Sequence, residues 1–266
     1  MSAIDQSFSQ LQQAGKKAFI PFITAGDPDL DVTSAVIREL SKRGCNICEV
    51  GIPYSDPIAD GPIIQASYTR ALDQGIKLAH ILDCIRSITP QIASPVVTMV
   101  SYAIVHRLGL EKYVDRAQAS GVAGAIIPDL PVDEAKKMSH VCQRADFSLI
   151  QLVTPTTPQQ RALRIAETST GFLYYVSVTG ITGERSQLPP DLAETVGWLR
   201  ERASLPICIG FGISQPEHVK LLSPVADGLI VGSAIVRRIA DGHPQNRDQT
   251  IKDVGDYVSD MMAALA

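Results

Sequence analysis

The chain has 266 residues, 45% of them hydrophobic and only 5% aromatic, with a formal net charge of −4. Such a length fits one large domain or two small ones, with ample material for an aliphatic core. The sequence pI of about 5.7 and mean hydropathy of +0.10, with no Lys/Arg-rich run, give nucleic-acid binding little electrostatic footing, and no apolar span of about 18 residues offers a membrane helix.

In chain order, "MSAIDQSFSQLQQAGKK" (1–17) is polar and amphipathic. It lacks an apolar h-region, so it reads as an extra N-terminal helix rather than a secretory signal, and the expected location is the cytoplasm. Short β-branched apolar runs then recur: 18–23, 46–51, 95–100, 122–127, 147–153, 171–177, 205–210 and 226–231. Helical patterns separate them, such as "DVTSAVIRELSKRG" (31–44), "LEKYVDRAQASG" (110–121), "VDEAKKMSHVCQRA" (132–145) and "PQQRALRIAETSTG" (158–171). The runs are apolar throughout, as parallel strands covered on both faces should be. Eight βα units in this length predict an α/β fold, a single (β/α)8 barrel domain over residues 1–266. An open doubly wound sheet is the architectural alternative.

Most strand starts fall about 21 to 28 residues apart. Two gaps are longer, after the second and sixth runs, where "IPYSDPIADGP" and "VTGITGERSQLPPD" stand. Long loops at the carboxyl ends of barrel strands lie on the face that carries active sites, and they are candidate lids.

The five cysteines (45, 48, 84, 142 and 208) have no framework spacing, and the five histidines (80, 106, 140, 218 and 243) no ligand spacing. Cys45 and Cys48 form a C-x-x-C, but a redox pair opens a helix, whereas "CNICEV" reads as a strand start with the two thiols on opposite faces.

Two acids carry the chemistry. Glu49 sits near the end of the second run, "NICEVG", where both faces of a parallel strand are buried. A buried carboxylate is paired, protonated or functional, and a Glu salt-bridged at the barrel's end is the competing reading. Asp60 follows in the loop, just before Gly61-Pro62 and the helical "IIQASYTRALDQG". Cap formation at that helix start competes with a catalytic role for it.

Glycines stand where the last three strands end: Gly180 and Gly183, Gly210 and Gly212, then Gly232 with Ser233 opening a helix. Missing side chains and a helix N-terminus suit an anion, and barrels commonly bind phosphate after strands 7 and 8. No Walker or dinucleotide motif is present. The residues thus describe an aliphatic barrel that holds a small phosphorylated ligand opposite a buried Glu. Composition and spacing do not name the substrate.

The segments "FIPFITAGDPD" (19–29), "EVGIPYSDPIADGPIIQ" (49–65), "IIPDLP" (126–131), "TPTTP" (154–158), "YYVSVTGITG" (174–183), "GFGIS" (210–214) and "VGSAIV" (231–236) resemble the tryptophan synthase α-subunit family, collinearly over nearly the whole chain. The resemblance implies a TIM barrel and a carbon–carbon lyase of tryptophan biosynthesis. Its reaction is retro-aldol cleavage of indole-3-glycerol phosphate to indole and glyceraldehyde 3-phosphate. It implies Glu49 as general acid/base and Asp60 as the acid acting at the indole nitrogen. Gly183, Gly212, Gly232 and Ser233 match the phosphate cradle. Phe22, Tyr102, Tyr174, Thr182, Phe211 and Ile230 match positions around Glu49 or the indole ring. It also implies a β-subunit partner in an α2β2 heterotetramer, with pyridoxal phosphate (PLP) only in that partner and no cofactor or metal in the α chain.

Two positions depart from the family pattern. Ile104 stands where an Asn is usual, near the partner contact, and Val178 stands where many members carry Arg in the strand 6 loop. Both lead to the expectation that coupling to the partner differs. A stand-alone lyase and another phosphosugar barrel, such as an isomerase, are the alternative functions.

Overall fold

The structure, a computed structural model, describes all residues except 58–59, 178–189, 211, 243–244 and 266, and the side chains of Pro190 and Asp191. In chain order the elements are α1 (Ala3–Gln13), β1 (Ala18–Thr24), α2 (Leu30–Lys42), β2 (Cys48–Gly51), α3 (Pro62–Asp73), α4 (Leu78–Ile88), β3 (Val96–Met99), α5 (Tyr102–Leu108), α6 (Leu110–Ala119) and β4 (Val122–Ile126). There follow α7 (Val132–Arg144), β5 (Ser148–Val153), α8 (Gln159–Thr168), β6 (Leu173–Val176), α9 (Pro190–Arg200), β7 (Ile207–Gly210), α10 (Pro216–Leu222), β8 (Gly228–Val231), α11 (Ser233–Ala240) and α12 (Arg247–Ala263). The strands close in sequence order, β1 through β8. Each is parallel to the next, and β8 returns to β1. Among the described residues, no helix is long and apolar enough to cross a membrane.

The strand runs are mostly apolar on both faces because each strand is buried twice. On β1, Ile20 and Phe22 face the barrel interior while Phe19 and Ile23 face the helices. On β6, Tyr174 faces in and Leu173 and Tyr175 face out. The outer layer joins strand residues such as Val50 and Leu229 to Val36 and Leu40 of α2, Ile85 of α4 and Val258 of α12. The period of two in strands and 3.6 in helices thus meets in one apolar shell.

The N-terminal helix belongs to the interior layer. Ser2 caps it in a capping box with Asp5, satisfying amide groups that a helix start leaves open. Its Ile4 and Phe8 join the interior cluster, Phe8 lies 5.7 Å from Phe172, and the Ser2 hydroxyl bonds Ser148 at 2.7 Å. The helix therefore stops one end of the barrel.

Three expectations change. The connection after β2 runs over residues 52–61 and α3 follows it, as expected, but a second helix, α4, fills the rest of the long gap. The α4 helix, built on Ile81, Leu82, Ile85 and Ile88, was not anticipated. Strands β1 and β4 start where their apolar runs do, at Ala18 and Val122, and the other six start one or two residues later. Asn46 spends its side chain and amide on Phe19 of β1, so β2 begins at Cys48, and Gly171 turns at φ +79° before β6. For the same reason Cys45 and Cys48 do not point to opposite faces. Cys45 lies in the turn before the strand, and both thiols pack in the outer layer. Burial raises both, Cys48 to about 12, which is the reverse of what thiol reactivity needs.

Because Phe8 fills the barrel's end, Phe8→Ala is expected to cost about 3–5 kcal/mol, measured as the loss of unfolding free energy in urea. A loss below about 1 kcal/mol would show that the helix lies on the barrel without plugging it.

Candidate active site

Glu49 occupies β2 opposite Phe22 of β1 and Val97 of β3. Its neighbours Cys48 and Val50 face the helices, so alternation turns Glu49 into the barrel. There it is 0% exposed, and among the described residues neither carboxyl oxygen has a hydrogen-bond partner. The described residues therefore do not bear out the salt-bridged reading. Burial, and to a lesser degree the charge of Asp60, pushes its pKa up to about 8. A carboxyl in this state holds its proton at neutral pH.

Asp60 ends the loop after β2. The N-cap of α3 is Gly61, with no side-chain cap bond and Pro at the first turn, so the Asp60 carboxylate does not cap the helix. Burial raises Asp60 to about 6 while the nearby Tyr54 hydroxyl draws it down, so it is mostly ionised at neutral pH. The loop backbone is clamped by Gln65, whose amide donates to the Asp60 carbonyl at 2.7 Å and to that of Pro57 at 3.2 Å.

Around Glu49 the interior layer contains Phe22, Tyr174 and Ile230. Phe22 faces Glu49 in register, Tyr174 pairs with Cys208, and Ile230 with Gly210. A Cβ at Gly210 would stand 2.4 Å from the Tyr174 hydroxyl, so the bare backbone there makes room for that ring. Tyr102 is placed differently. It opens α5 against the outer layer, its hydroxyl donates to Glu134 at 3.1 Å, and its ring lies 5.7 Å from His106.

The expected anion cradle is partly in view. Gly232 ends β8 and starts α11 with no side-chain cap, and Ser233 is the first helical residue. Its backbone lies close under Phe22, where a Cβ would be 3.4 Å from that side chain. Gly212 adopts φ +76° after β7, a conformation open to glycine. Thr182, Gly183, Phe211 and Val178 lie outside the described residues.

Two tyrosines escaped the sequence reading. Tyr54 stands near Asp60 and favours its ionised form, and Tyr68 of α3 is buried in the interior layer with its hydroxyl unpartnered among the described residues. The spacing of Ile64, Tyr68 and Ala71 on one helical face signals burial, but it says nothing about where a hydroxyl tip ends.

The arrangement can give a proton from a buried acid to a carbon and stabilise the resulting positive charge with a neighbouring carboxylate. Known proteins resemble this chain over most of its length. The family model for the tryptophan synthase alpha chain matches residues 8–266. The tryptophan synthase alpha chain of Rhodopirellula baltica is 59% identical over 244 residues, 91% of this chain and 88% of that one. The crystal structure of the alpha chain from Legionella pneumophila subsp. pneumophila superposes with a TM-score of 0.87 at 32% identity, covering 100% of this chain and 97% of that one. A chain in the crystal structure of the tryptophan synthase complex from Pyrococcus furiosus does so with a TM-score of 0.83, also at 32% identity, covering 93% and 99%.

The raised pKa of Glu49 makes stability depend on pH. The folded protein binds this proton up to about pH 8, whereas the unfolded chain releases it near the ordinary 4.5. Glu49 therefore costs stability increasingly as pH rises from about 5 to 8. Glu49→Gln should remove that cost, and its stability advantage over the parent should grow by on the order of a few kcal/mol across this range. Denaturant melts at pH 5 and pH 8 measure it, and an advantage that does not change with pH would contradict a buried neutral Glu49.

Proposed function

This chain belongs to the tryptophan synthase alpha chain family, and from that premise we propose how its residues perform the lyase reaction of that family. It cleaves indole-3-glycerol phosphate to indole and glyceraldehyde 3-phosphate. The observation that carries the proposal is the fully buried, unpaired carboxyl of Glu49 beside the ionised Asp60.

The bond from the indole C3 to the glycerol chain breaks poorly as it stands, because its electrons would be left on an aromatic ring that is a weak carbanion. Glu49, protonated, gives its proton to C3. Positive charge then spreads to the ring N–H, where the Asp60 carboxylate stabilises it in a low-dielectric site. Glu49, now a carboxylate, takes the proton from the side-chain hydroxyl on the adjacent carbon. That C–O becomes the aldehyde C=O as the C–C bond breaks, and its electrons return to the indole ring. Glu49 ends protonated, so the cycle closes without net change in the protein. By the family resemblance Phe22, Tyr102, Tyr174, Thr182, Phe211 and Ile230 are the positions of the indole pocket, a reading supported at Phe22, Tyr174 and Ile230 by their place in the interior layer. Gly212, Gly232 and Ser233, with Gly183, receive the phosphate through backbone amides and the start of α11.

Each step is a proton transfer between side chains and substrate, so we read the α chain as needing no cofactor. The whole chain acts as one cytoplasmic domain. Its partner is the tryptophan synthase β subunit, in an α2β2 assembly with PLP on the β side. The relative solved as part of the Pyrococcus furiosus complex supports that partnership. Ile104, half-buried against the outer layer, offers no polar group toward a partner. Titrating a β subunit into the lyase assay should therefore stimulate this chain only weakly, and strong stimulation would count against altered coupling.

Activity should be bell-shaped in pH. It is lost below about 6 as Asp60 takes a proton, and lost above about 8 as Glu49 gives its proton up. Glu49→Gln should keep the fold and abolish indole release. Turnover retained by that folded variant would overturn the role of Glu49.

A further inference from the structure

Tyr68 lies in α3, six residues past the first helical position, and its position is fixed from both sides. Next to it, the Ser67 hydroxyl bonds Thr24 at the end of β1 at 2.6 Å. Two residues on, the Arg70 guanidinium grips the buried Asp27 carboxylate with two hydrogen bonds of 2.8 and 2.6 Å. The helix is thereby pinned to the active-site end of β1. The Tyr68 ring is also held against Tyr54, which stands near Asp60, with centroids 5.6 Å apart and planes at 55°.

These contacts carry the hydroxyl to a specific place. Glu49 and Gly51 are two apart on β2, so both face the barrel interior. Gly51 contributes no side chain, and a Cβ there would stand 2.8 Å from the Tyr68 hydroxyl and 2.5 Å from the Phe22 ring. The Tyr68 oxygen therefore occupies the layer above Glu49, in the position that a side chain at residue 51 would fill. The residue is 1% exposed, and among the described residues its hydroxyl has no hydrogen-bond partner. Burial, and after it the charge of Asp60, hold it as a neutral phenol well above its ordinary pKa. A buried donor without a partner is rare in folded proteins and calls for a cause. Here the donor stands one layer above Glu49, at the end of the barrel from which the loop carrying Asp60 leaves β2.

We propose that Tyr68 is a third catalytic residue of this site, whose hydroxyl donates a hydrogen bond to the substrate oxygen that Glu49 deprotonates. The bond strengthens as that oxygen gains negative character on the way to the aldehyde, which is the condition for lowering a barrier rather than only tightening binding. The inference rests on the lyase reading above, and it adds a donor that neither carboxylate can supply once Glu49 has given up its proton.

Tyr68→Phe keeps the ring and its contact with Tyr54 and removes only the oxygen. The expected result is a fall of about ten- to a hundredfold in kcat with KM changed little. The thermal midpoint should be equal or higher, since an unpartnered buried hydroxyl is lost. Steady-state indole release and a thermal melt on the same preparation measure both. A kcat within twofold of the parent would overturn the proposal, and so would a marked drop in the melting midpoint, which would show that the hydroxyl has a structural partner. Glu49→Gln assayed in parallel separates the two readings. An inactive Glu49→Gln beside a fully active Tyr68→Phe removes only Tyr68, whereas an active Glu49→Gln removes the reaction scheme itself.

Discussion

The architecture around the site depends on one unfavourable placement, a carboxyl group deep in an aliphatic barrel with nothing to bond. Ionising such a group in a low-dielectric interior is far more costly than keeping it neutral. The same barrel shows the contrast. Asp27 is also buried, at 3% exposure, but Arg70 grips it with two hydrogen bonds, and it serves to anchor a helix. Glu49 has no such partner, and its difference from Asp27 is what makes it an acid at neutral pH. An Arg or Lys placed beside Glu49 would stabilise the fold and abolish the acid.

A group held this way must be surrounded by a frame rigid enough to tolerate it. The eight strands supply that frame through two apolar layers, and α1 stops one end with Ile4 and Phe8. At the other end the polar groups are introduced by α3 and the loop before it. The links from Thr24 to Ser67 and from Asp27 to Arg70 fix α3 on β1, and Gln65 clamps the loop backbone beside Asp60. The second carboxylate is thus brought over the first by hydrogen bonds that involve neither of them. Sites of this kind lower stability locally and rely on the remaining fold to compensate.

Much of this could be read from the residues. All eight strands were legible because parallel strands buried on both faces leave continuous apolar runs, and Glu49 stood out as a charge inside one of them. Their first residues were legible only for β1 and β4. Whether Asn46 extends β2 or bonds Phe19 with its side chain depends on a neighbour 27 residues away. The α4 helix was hidden in the long gap after β2, where loop chemistry drew the eye from Ile81, Leu82, Ile85 and Ile88. Asp60 remained open between cap and catalyst in the sequence, and the bare Gly61 cap closes the cap reading. Tyr54 and Tyr68 could be placed as apolar-face residues at most. Their function lies in the direction of a hydroxyl, which depends on Gly51 across a strand and on the tilt of α3.

The central claim is that Glu49 is a protonated acid at neutral pH because it is buried without a partner. Infrared difference spectra of the protein with carboxyl-labelled Glu, referenced to Glu49→Gln, test it without passing through turnover. The account predicts the C=O stretch of a neutral carboxylic acid at pH 7, absent from the variant and fading as pH rises past about 8. A carboxylate signal from Glu49 already at pH 6 would contradict it.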